Sequence, residues 1–304
     1  MGVSSVRASK SEYITSPDNR WLKRFRAALH GRPESQDGQP PPLGLEGPHL
    51  VEEALRSKLL IEALLVADSA ERHLTRLRKL LPPGALVLRT SDRLFTATAG
   101  TESPQGLAAL VTAPAWTLDD LLGTNALVVA IAGVQDPGNV GTIVRTAEAF
   151  GATGLIACRG SAHPFAPKSL RASAGSALRL PLIAGLAPER ALSDLQAHGL
   201  RQCAASLSGD CPPQHAGFSR PTALWIGSEA AGLPPEIEAA ADARIRIPIA
   251  PAVESLNAAM AAAVILYEAS RQRHTARTGF QPVQVRPSDS SPRRTYRASR
   301  EPRR

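Results

Sequence analysis

Five polar side chains stand in three short stretches rich in apolar residues and glycine: Asn139 and Arg145 in residues 136–151, Glu229 in residues 224–233, and Ser255 and Asn257 in residues 247–262. An amide, a guanidinium, a carboxylate and a hydroxyl hold and orient polar ligands by hydrogen bonds, and a guanidinium suits phosphate. Each also has an ordinary structural reading. Asn139 follows Gly138 and suits a left-handed turn. Arg145 can pair with Glu148 at i, i+3, which is worth only ~0.2–0.5 kcal/mol. Glu229 can face a helix dipole, and Ser255 can cap a helix. Gly227, lacking Cβ, permits either a tight turn or the close approach of a flat ligand; Ile247 and Leu256 read equally as core aliphatics.

Metal chemistry is not expected. Cys203, Cys211 and His215 lack a fourth ligand and a zinc-site spacing. A phosphate loop is weak as well: the run Gly138-Asn139-Val140-Gly141 fits neither G-x-G-x-x-G nor G-x-x-x-x-G-K-[ST], which disfavours a nicotinamide-dependent enzyme.

The elements that must position these residues are legible in outline. Residues 126–132 (ALVVAIA) are apolar without alternation, as in a strand buried on both faces of a parallel sheet. Residues 136–139 form a turn cluster. From Thr142, Ile143, Val144, Ala147 and Phe150 recur at helical spacing until Gly151. Asn139 and Arg145 are therefore expected at the carboxyl end of a strand and one turn into a helix, where open α/β sheets place ligands.

The βα rhythm continues, with strands expected at 154–158, 200–205, 222–227 and 244–249 and helices at 168–177, 189–196 and from 234. Ser255-Leu256-Asn257 opens a last helix to about residue 271, apolar all round from 258 to 266 and therefore buried in the protein or in a subunit interface. Upstream, residues 21–29 form an amphipathic helix exposing Lys23, Arg24 and Arg26, and residues 31–42 (GRPESQDGQPPP) break regular structure. A helix ending at Leu55, strands at 61–66, 85–88 and 107–111, and a basic helix at 70–81 complete a small α/β domain. The expected organisation is a disordered N-terminus at 1–11, an α/β domain at 12–111, a linker at 112–123, a second domain at 124–272 and a disordered tail at 273–304.

The 304 residues carry a formal charge of +8, from 35 basic and 27 acidic side chains. Residues 271–304 hold ten arginines against Asp289 and Glu301, a net +8, so the remainder balances at 25 against 25. The basicity belongs to a tail, which would add salt-dependent affinity for polyanions. Cys158, Cys203 and Cys211 form no disulfide framework and suit a reducing compartment. No apolar run approaches the ~20 residues that span a bilayer, and the N-terminus lacks a secretory core. The cytoplasm is the expected location.

Residues 136–151, 224–233 and 247–262, in this order, resemble the three motifs of the SpoU (TrmH-type) RNA ribose 2′-O-methyltransferases of the SPOUT superfamily. Residues 164–181 (PFAPKSLRASAGSALRLP) also resemble that family, and Asn19, Glu46-Gly47 and Pro104-Gln105-Gly106 resemble its substrate-binding domain. The resemblance covers residues 12–272. It implies an α/β fold with a C-terminal knotted parallel-sheet methyltransferase domain and a smaller N-terminal α/β domain similar to a ribosomal protein. It further implies a homodimer, S-adenosylmethionine as methyl donor, and RNA as substrate, with 23S ribosomal RNA favoured over tRNA because of the extra domain.

By the same resemblance Gly227, Ile247 and Leu256 hold the adenosine part of the cofactor, and Asn139, Arg145, Glu229, Ser255 and Asn257 form the catalytic group. Arg145 would bind phosphate and orient or activate the 2′-hydroxyl, since a guanidinium is a poor base. Lys168 and Arg171, beside His163 and Phe165, together with Lys23 and Arg24, are the expected RNA contacts. The third motif departs from the family pattern, with Ala258 and Ala259 where Val and Ser usually follow the Asn. A non-catalytic RNA-binding assembly factor that kept the fold is the competing reading; the intact polar set weighs against it.

Overall fold

A computed structural model describes residues 11–33 and 40–278. The N-terminal unit comprises β1 (Ser11–Ile14), α1 (Arg20–Leu29), β2 (Leu43–Glu46), α2 (Pro48–Arg56), β3 (Ile61–Ala67), α3 (Glu71–Leu77), β4 (Val87–Thr90), α4 (Asp92–Thr98) and β5 (Leu107–Val111). Its sheet runs β1-β4-β3-β5-β2, with β1, β4 and β3 parallel and β5 antiparallel to both its neighbours. The strands β1 and β2 and the helix α4 are not apparent from sequence pattern. Four-residue strands carry too little periodicity, and β1 is exposed at three of its four positions. Glu46 is buried at the end of β2, where its carboxylate accepts from Gly100 N at 2.8 Å and from the Thr101 hydroxyl. Its role is to tie β2 to the segment after α4.

The C-terminal unit comprises α5 (Leu118–Leu121), β6 (Leu127–Ile131), α6 (Pro137–Ala149), β7 (Gly154–Ala157), α7 (Pro167–Ser173), β8 (Leu182–Ala184), α8 (Pro188–Ala197), β9 (Arg201–Ala205), β10 (Thr222–Ile226), α9 (Pro235–Ala239), β11 (Ala243–Ile245) and α10 (Ala258–Thr278). All six strands are parallel, in the order β11-β9-β10-β6-β7-β8. Both faces are covered, as the unbroken apolar strands require. Leu127, Val129, Ile131, Leu224 and Ile226 face the core under α6, α7 and α10, while Val128, Ala130, Ala223 and Trp225 face α8 and α9. From β6 the chain turns over one face through α6 to β7; from β10 it turns over the other through α9 to β11. The neighbours β6 and β10 therefore flank the point where winding reverses, which opens a crevice at their carboxyl ends.

Several boundaries differ from the sequence pattern for identifiable reasons. The helix α6 starts at Pro137 rather than Thr142, because Asp136 caps it through Asn139 N at 2.9 Å and proline fits the first helical position. The helix expected at 168–177 breaks after Ser173, where Ala174 and Gly175 take positive φ of 49° and 91° before a short 3-10 turn. The strand expected at 244–249 ends at Ile245, and Pro248 has no N–H to extend a ladder. The linker contains α5, held by a reciprocal Thr117–Asp120 capping box.

The helix α10 continues past residue 272, where the sequence places the start of the tail. Arg273 is only 8% exposed, and its guanidinium donates to the carbonyl oxygens of Asn125 (2.6 Å), Ala126 (2.9 Å) and Arg220 (2.9 Å). Gln272 Oε1 accepts from Phe218 N at 2.9 Å. The end of α10 is thus pinned to the amino-terminal edge of the sheet. The disorder expected at residues 1–11 stops short of Ser11, which opens β1; residues 1–10, the core of the proline-rich excursion at 34–39 and the arginine-rich tail from 279 lie outside the described residues.

The two units meet along α2 and α7. His49 Nε2 donates to Ala174 O at 3.2 Å, and Arg179 bridges Glu53 of α2 and Glu148 of α6, the latter through two bonds of 2.8 Å.

Candidate active site

At the crevice, three of the five predicted polar residues converge. Asn139, in the first turn of α6, donates from Nδ2 to Glu229 Oε1 at 2.6 Å. Asn257 donates from Nδ2 to Asn139 Oδ1 at 3.1 Å and to Glu229 Oε1 at 3.3 Å. The Glu229 carboxylate also accepts from Ala258 N at 3.3 Å, a free donor at the start of α10. Three loops, after β6, β10 and β11, are therefore fastened by one carboxylate.

The cap of α10 is Asn257, not Ser255: its Oδ1 accepts from Ala259 N at 2.9 Å and Met260 N at 3.3 Å. Ser255 instead lines a cavity next to the cluster. Ala259 is 1% exposed and packed in the core, so position 259 here serves packing.

Arg145 is not part of the cluster. It is exposed two turns along α6, and no hydrogen bond or ion pair reaches it among the described residues. The alternative pairing with Glu148 is absent because Arg179 takes Glu148 and holds its carboxyl below the usual range. Lys168 sits beside the cluster, donating to Asp136 at 2.7 Å. That bond, together with the N-cap contact, holds the Asp136 carboxyl below its ordinary value. Arg171 is exposed with no side-chain partner among the described residues. In the N-terminal unit Lys23 pairs with Asp18 at 3.3 Å, and Arg24 with Glu62 at 2.6 Å.

The cavity measures about 330 Å³. All three residues expected to hold a cofactor, Gly227, Ile247 and Leu256, line it. Gly227 is required first by its own loop: a Cβ there would lie 2.2 Å from Gly232 C and 2.5 Å from Leu233 N. That loop closes through paired backbone bonds between Ser228 and Gly232 of 3.1 and 3.0 Å. Sequence reasoning missed the segment after β9, Ala205 to Ser208, which forms the opposite wall. Its only signal is its place at the carboxyl end of a strand next to β10. Asp136 was missed as well, although an Asp-Pro pair before a helix is a start signal.

The cavity's chemistry fits an adenosine-bearing cation. Ile226, Ile247, Ile249 and Leu256 offer flat aliphatic surface for a purine, and backbone groups of 227–232 rim it. Its two ionisable lining residues, Glu229 and Glu238, are both carboxylates, which suits a sulfonium and an ammonium and opposes the pyrophosphate of a dinucleotide. Among the described residues no group of three or more His, Cys, Asp or Glu is placed to hold a metal.

A doubly covered parallel sheet with a nucleoside-sized slot and a polar cluster at its reversal point defines a ligand-binding α/β domain. The chain belongs to the SpoU rRNA methylase family, whose model matches residues 126–267, and an MRM3-like substrate binding domain matches residues 43–109. It is 35% identical over 223 residues to the 23S rRNA (guanosine(2553)-2′-O)-methyltransferase RlmP of Bacillus subtilis, covering 73% of this chain and 86% of that one. Its structure resembles the SpoU methyltransferase AviRb of Streptomyces viridochromogenes in complex with AdoMet, with a TM-score of 0.73 and 28% identity over 84% of this chain and 100% of that one. It also resembles an AdoMet-bound rRNA methyltransferase from Sinorhizobium meliloti, with a TM-score of 0.75 and 30% identity over 86% and 98%. The family uses S-adenosylmethionine as its methyl donor.

Proposed function

We propose that this protein methylates a ribose 2′-hydroxyl of RNA in the cytoplasm, with 23S ribosomal RNA as its substrate. The observation that carries the reading is the Asn139–Glu229–Asn257 cluster at the mouth of the aliphatic, carboxylate-rimmed cavity. S-adenosylmethionine, when bound, supplies an electrophilic methyl group. Gly227, Ile247 and Leu256 hold its adenosine, and Glu229 attracts its positive end. Asn139, Ser255 and Asn257 orient the ribose, and Arg145, which has no partner among the described residues, binds RNA phosphate and directs the 2′-hydroxyl oxygen. Holding nucleophile and methyl donor at fixed geometry supplies much of the rate.

Lys168, Arg171, Lys23 and Arg24 serve as phosphate contacts. The ribosomal substrate is favoured over tRNA by the N-terminal unit and by the activity printed for the Bacillus subtilis relative. A homodimer and a C-terminal knot complete the proposal. On α10, Met260, Val264 and Tyr267 are 54%, 43% and 58% exposed at i, i+4 and i+7, an apolar stripe that a second copy would cover.

The test is transfer of labelled methyl from S-adenosylmethionine to protein-free large-subunit ribosomal RNA and, separately, to unmodified tRNA. Label at a 2′-oxygen of the ribosomal RNA is expected. Label in tRNA alone would overturn the substrate assignment, and S-adenosylmethionine binding without transfer to ribosomal RNA, tRNA or ribosomal precursor particles would overturn the reaction.

A further inference from the structure

The first unit carries a second concave site, which shares no lining residue with the cofactor cavity. Helix α1 buries Leu22, Phe25, Ala28 and Leu29. Its opposite stripe, Arg20, Lys23, Arg24 and Ala27, falls at i, i+3, i+4 and i+7 and, with Trp21, Pro33 and Pro42, lines a cavity of about 540 Å³. Two guanidinium groups lie over the Trp21 indole, Arg24 at 4.8 Å and Arg20 at 5.6 Å from the ring centre. These are cation–π distances.

Neutralisation within the cavity is uneven. Arg24 is held in place by Glu62 at 2.6 Å while still lining the cavity. Lys23 meets Asp18 at 3.3 Å, but the two side chains are 60% and 85% exposed, so water screens the pair and either partner is easily displaced. Arg20 has no carboxylate or hydrogen-bond partner among the described residues; only the indole orients it. A solvated helix face would spread its cations over a convex surface, whereas here cations, an aromatic ring and two prolines converge on a hollow.

A ligand that satisfies this set must be both anionic and planar. A duplex presents phosphates along a broad surface and keeps its bases stacked inside, whereas an unpaired nucleotide offers a phosphate and a free π-face together. We infer that this cavity binds one unpaired nucleotide of the RNA substrate, its base stacked on the Arg20–Trp21 pair and its phosphate held by Arg20 and Lys23. The inference rests on the RNA reading above and deepens it, by giving the N-terminal unit a nucleotide subsite in place of a diffuse basic face.

The test uses the full chain and a labelled single-stranded oligouridylate, compared with protein-free large-subunit ribosomal RNA. Arg20→Ala and Trp21→Leu, the latter keeping apolar bulk at a half-buried position, are each expected to weaken oligonucleotide binding about tenfold. S-adenosylmethionine binding should be unchanged in both, which also reports that each variant is folded. Arg20→Lys keeps the charge but not the plane, so it should recover only part of the loss. Wild-type affinity in both Arg20→Ala and Trp21→Leu would overturn the subsite, and if Lys168→Ala still weakened binding, the RNA reading would survive alone. Loss in Arg20→Ala with none in Trp21→Leu would reduce the site to a phosphate contact and overturn the stacked nucleotide. A wild-type chain that binds neither RNA would remove both readings.

Discussion

The side-chain amide of Asn139 and the carboxylate of Glu229, 90 positions apart in sequence, meet at 2.6 Å at the carboxyl ends of the neighbouring strands β6 and β10. The same Glu229 oxygen receives Asn257 and the first free N–H of α10. One charge thereby sets the relative position of all three sequence motifs. Glu229→Gln keeps the shape but replaces charge-assisted acceptance with a weaker amide oxygen. Methyl transfer should fall by about tenfold to a hundredfold, for roughly 1.4 to 2.7 kcal/mol of lost orientation. Turnover measured at saturating S-adenosylmethionine checks this, and an unchanged turnover would remove Glu229 from the site.

Arg145 should separate cofactor binding from chemistry. It lies outside the cofactor cavity and has no partner among the described residues, so Arg145→Ala is expected to bind S-adenosylmethionine as the wild type does while losing transfer by about a hundredfold or more. Arg145→Lys should not restore it, because an ammonium lacks the planar fork. Calorimetric cofactor titration beside a single-turnover methylation assay distinguishes the two effects.

Gly227→Ala tests the loop after β10. The added Cβ meets backbone of residues 232 and 233, not the tip of a flexible side chain, so the loop itself must move. A stability loss of about 1–3 kcal/mol is expected, with weakened S-adenosylmethionine binding because the same loop rims the cavity. A thermal melt with and without cofactor reads both, and a variant with wild-type affinity would show that the loop's shape is not needed for the ligand.

Arg179 links the N-terminal unit to α6, the helix that carries Asn139 and Arg145. Arg179→Ala should raise the KM for RNA by up to about fivefold, the range of a partly screened ion pair, with cofactor affinity unchanged. The pH dependence has a definite sign. The carboxyl of Glu148 is lowered by its bonds to Arg179, so its contribution is fully present above the unfolded value of about 4.3 and is lost as pH falls through the still lower folded value. The hold of Glu148 on Arg179, followed by the Glu148 side-chain carboxyl shift in NMR, should be constant from neutral pH to about 5 and weaken only below about 4; loosening near pH 6 would point to another group.

The thiols should differ in reactivity. Burial pushes Cys158 up to about 12 and Cys203 up to about 11, so both stay protonated at neutral pH, whereas Cys211 is only half-buried. Mass mapping after brief alkylation of the native protein should find Cys211 labelled first; early labelling of Cys158 would contradict the packing of the sheet around it.

The sequence by itself determined the long, locally encoded features. The unbroken apolar run of β6 announced a strand buried on both faces, residues 222–227 announced the strand β10, and the helical spacing of Ile143, Val144 and Ala147 announced α6. All three depend on neighbours within one element. The three-motif resemblance further indicated Gly227, Ile247 and Leu256, all of which line the cavity.

What only the tertiary structure decided are relations across loops. Whether Ser255 or Asn257 caps α10 depends on where the chain after β11 turns, which no local pattern fixes. That Gly227 yields to Gly232, that Glu148 pairs with Arg179 rather than Arg145, and that residues 205–208 wall the cavity follow from strand order, because β9 lies beside β10 although a 16-residue segment separates them. Arg145 shows the same division from the other side. Helical spacing placed it on α6, but only the fold shows that it is exposed and has no partner among the described residues.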